Sequence, residues 1–361
     1  MRILVAPAAY KGTINCLDLA RSISRGIALQ QPDAEIDILP IGDGGDGTIE
    51  ALVQAIGGEL RSVTVDGPVG ERIQASWLKL PNSSIVELAS ASGLKLLAGK
   101  LDPINAHTRG TGQVIAACLA SQETNITICV GGSASTDGGS GLLMALGAKF
   151  LKVDHSMIRL GASELSLIGS CDLSDLHSLT NCTEFQVAVD ISNPLLGPNG
   201  AAAIYGPQKG ATRKIIDRLE SGLAHFADML EAETGRSVRN VPGAGAAGGT
   251  AFGVACALDA EIVSGFDWLS SIVGLETRVA AADLIVSAEG CLDRQTLQGK
   301  AVGKLASLSK KHGKKLYVLP ALADVSYDWT GAGIDRVLPV AKRGQVCSLE
   351  DVTAATMELL K

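Results

Sequence analysis

The chain has 361 residues, a formal net charge of −7 and 46% hydrophobic residues, with 42 glycines and only 3% aromatic residues. This length is about twice that of a typical domain, so we expect two domains. The acidic balance, without a long basic run, argues against a nucleic-acid-binding surface and favours small-molecule chemistry. Abundant glycine with few aromatic residues is typical of an α/β enzyme rather than a β-sandwich.

The apolar stretches and the cysteines further limit the class of protein to which the chain can belong. The longest uncharged apolar run, residues 244–258, is too short for a bilayer span, so no membrane segment is predicted. The N-terminal apolar run stops at Pro7 and predicts a first strand rather than a signal sequence. Eight cysteines without a Cys-x-x-Cys pair predict neither a zinc site nor a disulfide framework, and they fit a cytoplasmic protein.

The first part of the chain predicts a β–α–β–α unit. Strands are expected over residues 3–6 and 35–40, and helices over residues 15–29 and 49–56, where apolar residues recur at helical spacing. Strands that alternate with helices are typical of a mostly parallel sheet.

From about residue 63 the pattern changes to short strands separated by turns. Strands over residues 73–80 and 85–88 favour hairpins and a mixed sheet. Further along, we predict a helix near 112–119, a strand over 185–189 and a helix over 212–231.

After Trp268 the alternation of strands and helices returns, with a strand over 283–287, a loop over 289–299 and a helix over 301–311. A strand over 316–319, a strand over 336–340 and a helix from Leu349 complete the chain. The simplest packing places these elements beside the first segment. The predicted domains are therefore a discontinuous one, residues 1–66 and 268–361, and an inserted α/β domain, residues 67–267.

The most informative stretch, residues 128–147, enters a glycine-rich turn from an apolar strand and leaves it as a helix. Gly131, Gly132 and Ser133 open this turn, and small residues let backbone N–H groups approach a bound anion closely. Asp137 is the only charged residue in the turn. It indicates either a metal ion or a proton acceptor beside a phosphate, or else an ordinary helix N-cap.

Two stretches match the pattern Gly-x-Gly-x-x-Gly, at residues 42–47 and 243–248. The first follows a strand and opens a helix, so a dinucleotide site is one hypothesis. Asp43 and Asp46 argue against a dinucleotide site, because their negative charges would lie where a pyrophosphate must bind. The second match predicts either a nucleotide-facing loop or simple close packing.

Acidic residues in loops or at strand ends, with cations nearby, are typical of a phosphotransferase site, in which carboxylates hold Mg²⁺ and one accepts a proton. Taken singly, each of these charged residues is more typical of a helix cap, a turn or a solvent-exposed surface. Asp190, at the carboxyl end of a strand, is the preferred general base. The acids are Asp43, Asp46, Asp137, Asp190, Glu289 and Asp293, and the cations are Lys11, Arg109, Lys209, Arg294 and Lys300.

Taken together, these motifs resemble the bacterial glycerate kinases of the first type. The matching stretches, in chain order, are residues 10–12, 43–48, 110–112, 131–139, 190–197, 205–211, 242–249, 289–293 and 299–301. The resemblance implies an α/β enzyme with a Rossmann-like, mostly parallel three-layer domain interrupted by a second α/β domain with a mixed sheet. It also implies that ATP and Mg²⁺ serve to phosphorylate D-glycerate, typically on the 2-hydroxyl, in the cleft between these domains.

On this interpretation the site residues fall into three groups. The expected catalytic residues are Asp190, Asp137 and Lys11. The expected substrate- and phosphate-binding residues are Gly131, Gly132, Ser133, Lys209, Asp293, Arg294, Lys300 and Arg109. The expected metal ligands are Asp43, Asp46 and Glu289, and the protein is expected to be a monomer or a homodimer.

The chain also departs from the family pattern, because Ala8 and Ala9 replace an Asp-Ser pair beside Lys11. This change leaves open a kinase that prefers a different small hydroxy acid, and also a non-catalytic hydroxy-acid-binding paralogue. A dinucleotide-dependent oxidoreductase that acts through residues 42–47 is a further alternative.

Overall fold

The computed structural model describes residues 1–10, 13–41, 47–297, 300–324, 326–341 and 347–361, with the backbone only of Gln295. The chain divides into two compact units. The first contains Met1–Asp43, Glu50–Gly57 and Phe266–Lys361, and the second contains Gly44–Ile49 and Gly58–Gly265.

The strands of the described residues are, in chain order, β1 (Arg2–Val5), β2 (Glu35–Ile38), β3 (Glu59–Asp66), β4 (Arg72–Lys79), β5 (Ser84–Glu87), β6 (Asn125–Cys129), β7 (Lys149–Lys152), β8 (Ile168–Asp172), β9 (Glu184–Val189), β10 (Glu261–Ser264), β11 (Leu284–Leu292), β12 (Lys315–Ala323) and β13 (Arg336–Val337).

The helices are α1 (Cys16–Gln30), α2 (Thr48–Ile56), α3 (Ala89–Ser92), α4 (Arg109–Ala120), α5 (Ser140–Ala145), α6 (Ser174–Thr180), α7 (Ala201–Tyr205), α8 (Arg213–Thr234), α9 (Ala246–Leu258), α10 (Gly265–Ile272), α11 (Leu275–Ala281), α12 (Ala301–Lys311) and α13 (Leu349–Leu359). Short 3₁₀ turns lie at Leu94–Leu97, Leu165–Leu167, Pro207–Lys209 and Arg294–Leu297.

The first unit is built on a parallel five-stranded sheet in the order β13-β12-β11-β1-β2. Helices α1 and α13 pack together, and Ile3 and Val5 of β1 belong to the same buried cluster as their apolar residues. Helices α11 and α12 pack together against β1, β11 and β12. A parallel sheet requires helices over its faces because its central strands, here β1 and β11, are largely buried.

The second unit contains a six-stranded mixed sheet in the order β10-β9-β6-β5-β4-β3, and a separate hairpin of β7 and β8. Strands β5, β6, β9 and β10 are parallel, whereas β3, β4 and β5 pair antiparallel. Beside the sheet, Phe226 makes edge-to-face contacts with Phe150 and Phe252, at centroid distances of 5.2 and 6.1 Å. The predicted α/β class, with one parallel and one mixed sheet, is confirmed.

Local sequence explains where the best-predicted helices begin. The side chain of Asn15 accepts a hydrogen bond from the backbone N–H of Asp18 at 2.8 Å and caps α1. Ser348 and Asp351 form a capping box at the start of α13, which begins at Leu349 as predicted. In α1 the buried Leu19, Ile23 and Ile27 recur every four residues, so one face of the helix is apolar.

Two predictions for the C-terminal third need correction. Strand β11 does not end at Ser287 but continues to Leu292, because Ala288 to Leu292 pair with the equally long β12. Glu289 and Cys291 therefore lie in a strand and not in the predicted loop. The second Gly-x-Gly-x-x-Gly match opens helix α9, which the sequence analysis did not predict.

No helix among the described residues has the length and apolar character needed to cross a membrane.

Candidate active site

The carboxyl ends of four parallel strands meet at one edge of the second unit's sheet. In the register of this sheet Glu87 pairs with Cys129, and Cys129 pairs with Ala188. Asp190 follows β9 directly and is exposed. A Cβ atom at Gly265 would lie 2.9 Å from both carboxylate oxygens of Asp190, so glycine leaves room for this side chain. Asp190 therefore has the accessible strand-end position that the sequence predicted.

Glu87, the last residue of β5, is a member of this edge that the sequence analysis missed. Its side chain is 7% exposed, and its carboxylate accepts hydrogen bonds from the backbone N–H groups of Gly47 at 2.7 Å and Ile49 at 3.2 Å. Gly47 directly precedes α2, and Ile49 is its second residue. Like Asp190, Glu87 is an acid at the end of a buried strand, and this pattern could have identified it. No glycine-rich motif surrounds Glu87, however.

This contact bears on the dinucleotide hypothesis. In a dinucleotide fold the helix N-terminus after Gly-x-Gly-x-x-Gly binds a pyrophosphate through its backbone N–H groups. Here the N–H groups of Gly47 and Ile49 donate to a carboxylate of the same chain. A second anion at this helix end would meet the negative charge of Glu87, so the geometry argues against a pyrophosphate there.

Cys129 lies between the two carboxylates of this edge and is completely buried. Burial raises the pKa of its thiol well above the ordinary value, and the negative charges of Glu87 and Asp190 raise it further. The thiolate form is therefore strongly disfavoured. This environment makes Cys129 a structural thiol and not a nucleophile.

Asp137 of the glycine-rich turn is completely buried and accepts four hydrogen bonds. Thr108 donates its backbone N–H and its hydroxyl to Oδ2, at 2.9 and 2.8 Å. The N–H groups of Gly141 and Gly139 donate to Oδ2 and Oδ1, at 3.2 and 3.3 Å. The carboxylate thus joins the start of α5 to the residue that precedes α4. Asp137 accepts N–H groups at the start of α5, although the N-cap position itself is Gly139.

Backbone hydrogen bonds tie the turn that contains Asp137 to neighbouring segments. Leu94 donates to the carbonyl of Gly132, and Ala134 donates to the carbonyl of Ser92, at 2.8 and 2.9 Å. Gly138 donates its N–H to the carbonyl of Gly248 at 3.0 Å. The accessible part of the turn is its start, where Gly131 is half-buried and Gly132 is exposed, so an anion can approach the backbone there.

Lys209, in the turn Pro207–Lys209, is only 2% exposed. Its ammonium group donates hydrogen bonds to the hydroxyl of Ser133, at 2.8 Å, and to the carbonyl of Ser135. Burial lowers the pKa of Lys209 to about 7, although the charge of Asp137 acts in the opposite direction. Lys209, Ser133 and Asp137 therefore form one buried polar cluster around the turn.

Arg109 begins α4 and forms an ion pair with Asp66, whose Oδ2 accepts from Nε at 3.0 Å. Asp66 also accepts from Arg72 at 2.8 Å and from Gln113 at 3.0 Å. Although burial acts to raise the pKa of Asp66, the hydrogen bonds from Arg72 and Gln113 and the neighbouring arginine charges lower it. The guanidinium of Arg109 is therefore engaged in an ion pair with Asp66.

His107 lies next to this network and is 5% exposed. Its Nδ1 atom has no hydrogen-bond partner among the described residues. Burial lowers the pKa of His107, while the charges of Asp137 and Asp66 partly oppose this effect. The imidazole is therefore biased towards its neutral form.

In the first unit, the predicted acids and cations gather at the carboxyl end of β11. Glu289 is 7% exposed, and its Oε1 atom has no partner among the described residues. Burial raises the pKa of Glu289 to about 7, against a lowering by Thr296 and Lys300. Asp293 and Lys300 form an ion pair at 3.5 Å, just before α12 begins.

Arg294 follows in the short turn after β11, and its guanidinium lies 5.5 Å from the centre of the Tyr327 ring. It is exposed, as is Lys300. These two cations can therefore approach an anion outside the strand ends, whereas Lys209 and Arg109 are engaged in internal contacts.

Three predicted site residues, Lys11, Asp43 and Asp46, lie outside the described residues, and their roles stay predictions. Among the residues that the structure does describe, no three His, Cys, Asp or Glu side chains form a group suited to hold a metal ion. Glu289 still fits part of a magnesium site, since its buried carboxylate has an oxygen left for a cation.

Two sheets with parallel strands, each with acids at its carboxyl edge, are typical of α/β enzymes that bind small molecules outside their strand ends. The family model described as the glycerate kinase family matches residues 3–361, so the chain belongs to the glycerate kinase family. The resemblance seen in the sequence motifs is confirmed, and the chain is an enzyme of this family.

Individual relatives agree with this assignment. The chain is 38% identical to the glycerate 2-kinase of Escherichia coli K12, over 87% of this chain and 83% of that protein. It is 39% identical to the glycerate kinase of Bacillus subtilis 168, over 86% and 82% of the two chains. A crystal structure of a presumed glycerate kinase 2 from Salmonella typhimurium LT2 is similar with a TM-score of 0.84 and 34% identity, covering 99% of this chain and 95% of that one.

Proposed function

We propose that the protein transfers the γ-phosphoryl group of ATP to D-glycerate, on the 2-hydroxyl, giving 2-phosphoglycerate. The observation that carries the proposal is the family match over residues 3–361, and the Escherichia coli relative that is named a 2-kinase supports the position. Asp190 provides a suitable acid at the strand edge where such enzymes place their chemistry.

Asp190 is the proposed general base, and it accepts the proton of the attacking hydroxyl. The choice rests on access, since Asp190 is exposed whereas Asp137 is completely buried and already accepts four hydrogen bonds. A general base must come within hydrogen-bonding distance of the hydroxyl that it deprotonates. Asp137 then acts indirectly, by fixing the glycine-rich turn.

The cations of the first unit are proposed to bind the phosphate groups. Arg294 and Lys300 are exposed beside Asp293 and Glu289 at the end of β11. Lys11 is the third candidate for this role. Lys209 is proposed to hold Gly131, Gly132 and Ser133 in position through its bond to Ser133, rather than to leave its buried site.

Mg²⁺ would neutralise charge on the transferring phosphoryl group. Glu289 is the ligand that fits best among the described residues, and Asp43 and Asp46 are the predicted companions. Because burial raises the pKa of Glu289 to about 7, a nearby divalent cation would favour its charged form. That residues of both predicted domains act in one cleft, and that the protein is a cytoplasmic monomer or homodimer, stay predictions.

The proposal is tested by coupled measurement of ADP release with D-glycerate, L-glycerate, tartronate and related hydroxy acids, with and without Mg²⁺. Direct conversion of the product by enolase, without a mutase, would identify 2-phosphoglycerate. We expect D-glycerate to give the highest kcat/KM. Absence of turnover with every acid, in folded protein, would overturn the proposal.

The same panel tests the effect of Ala8 and Ala9, which replace the expected Asp-Ser pair. Loss of a carboxylate and a hydroxyl beside Lys11 removes polar groups that could recognise a substrate. A higher kcat/KM for another hydroxy acid would keep the kinase assignment and reassign its substrate.

A further inference from the structure

The buried carboxylate of Glu87 has no part in the functions proposed so far. It lies at the end of β5, is 7% exposed, and accepts the backbone N–H groups of Gly47 and Ile49 through its two different oxygens. Each oxygen thus has its own donor from the start of α2. A carboxylate of this kind is costly to bury, so its position must be matched by specific partners.

The partners of Glu87 are those that favour a negative charge. The first N–H groups of a helix have no acceptor within the helix, and they form the positive end of its dipole. Glu87 supplies the acceptor from a strand that is distant in sequence, 40 and 38 residues from Gly47 and Ile49. The sheet therefore provides acceptors for two N–H groups at this helix start.

The sheet links this anchor to the proposed base. Strand β6 lies between β5 and β9, with Cys129 paired to Glu87 on one side and to Ala188 on the other. Asp190 follows Ala188 by two residues, and the charges of both acids act on the Cys129 thiol. Glu87 thus holds Gly47 at a fixed place relative to the strand edge that presents Asp190.

We propose that Glu87 is a positioning residue for the phosphotransfer reaction. By anchoring Gly47 and Ile49, it fixes the start of α2 relative to the strand edge at which Asp190 lies. This inference rests on the proposed function, because it assigns Glu87 a role in that reaction without contact with a substrate. Small displacements of such supporting groups lower rates strongly.

The test compares Glu87→Gln and Glu87→Asp with Glu123→Gln. Glu123 is a matched control, since it is also 7% exposed in the second unit and its carboxylate is paired, with Lys79, away from the carboxyl edge. For each protein, hydrogen exchange of the amides from residue 47 to 52, the thermal unfolding midpoint, kcat and the KM values are measured.

We expect Glu87→Gln to increase exchange at Gly47 and Ile49 by about tenfold or more, since an amide NH₂ group cannot accept from one of these donors. We expect kcat to fall at least about tenfold, with a smaller change in the KM for glycerate. Glu87→Asp should recover part of the rate because it keeps the charge. Glu123→Gln should lower the unfolding midpoint without the change in exchange or kcat.

Unchanged exchange at residues 47 to 52 in Glu87→Gln would overturn the anchoring role. Faster exchange with an unchanged kcat would overturn the positioning role, as would an equal loss of kcat in Glu123→Gln. If the wild-type protein turns over no acid of the panel, the proposed function fails instead. The exchange measurement needs no activity, so it still decides whether Glu87 anchors the helix start.

Discussion

At the scale of single residues, the hydrogen bonds of the Asp137 carboxylate stabilise the fold. Its four donors come from Thr108, Gly139 and Gly141, so replacement by asparagine would leave donors facing an NH₂ group. We expect Asp137→Asn to lower the free energy of unfolding by about 2–3 kcal/mol. Urea unfolding followed by circular dichroism measures this change. Full stability combined with a lost kcat would instead make Asp137 the general base.

Asp190 has the opposite character, because it is exposed at the strand edge. We expect Asp190→Asn to lower kcat by about two to four orders of magnitude with little change in stability, since asparagine cannot accept the proton. The matched control is Asp259→Asn, which alters another exposed aspartate of the same unit, paired with Arg236. A near-wild-type kcat in Asp190→Asn would assign the base to another residue.

Sequence patterns located Asp190 but not the partners of the buried acids. Asp190 stands after an apolar strand and before a proline-containing turn, which is a local signal. Glu87 also ends an apolar strand, but its role, like that of Thr108, depends on contacts with residues 38 to 40 and 29 positions away. Whether a carboxylate in a glycine-rich turn is exposed or saturated with hydrogen bonds is a tertiary property, and no local pattern records it.

At the scale of elements, helix α9 depends on glycine at its kink. Gly248 has φ +65°, and a Cβ there would lie 2.2 Å from the carbonyl oxygen of Ser135 in the glycine-rich turn. The preceding Ala247 also has a positive φ of 54°. The helix start therefore packs directly against the backbone of that turn, which only a residue without a side chain allows.

We expect Gly248→Ala to lower the free energy of unfolding by about 3 kcal/mol or more, because the left-handed conformation and the backbone clash both oppose it. Gly235→Ala is the matched control, with φ +69° and no atom within 4 Å of the added Cβ. It should cost only about 1–2 kcal/mol. Chemical unfolding of both variants measures the difference, and equal losses would contradict the close packing.

Helices with a clear apolar period were predicted well. The helices Cys16–Gln30 and Ala301–Lys311 begin and end within about two residues of the prediction, and α13 begins at Leu349 as predicted. Helix α9 was missed, because its glycine-rich start reads as a turn and its apolar residues surround the helix. The length of β11 was also underestimated, since a long β12 as a pairing partner cannot be recognised from either strand alone.

At the scale of the whole molecule, the α/β class followed from the alternation of strands and helices at the two ends of the chain. Pairing of β1 with β11 joins residues about 280 positions apart, as in Ile3 with Leu284. The buried polar cluster was beyond prediction, because Lys209 reaches Ser133 across 76 residues. Burial also lowers the pKa of Lys209, and this shift affects the stability of the whole protein.

Lys209 makes stability depend on pH. Its pKa is about 7 in the folded protein, against an ordinary value of 10.5, and burial is the main cause. Between these values the unfolded chain holds a proton that the folded chain has released. Stability therefore rises with pH from about 7 towards 10.5, by at most about 1.4 kcal/mol per pH unit from this group.

We expect Lys209→Met to flatten this dependence, since methionine has a similar length and no charge. The difference in unfolding free energy between wild type and variant should move in favour of the wild type as the pH rises from 7 to 9. Lys214→Met, at an exposed lysine of α8, is the control and should leave the dependence unchanged. Thermal and urea unfolding at three pH values provide the measurement. Parallel pH curves for wild type and Lys209→Met would mean that Lys209 keeps its proton in the folded protein, paired with Asp137.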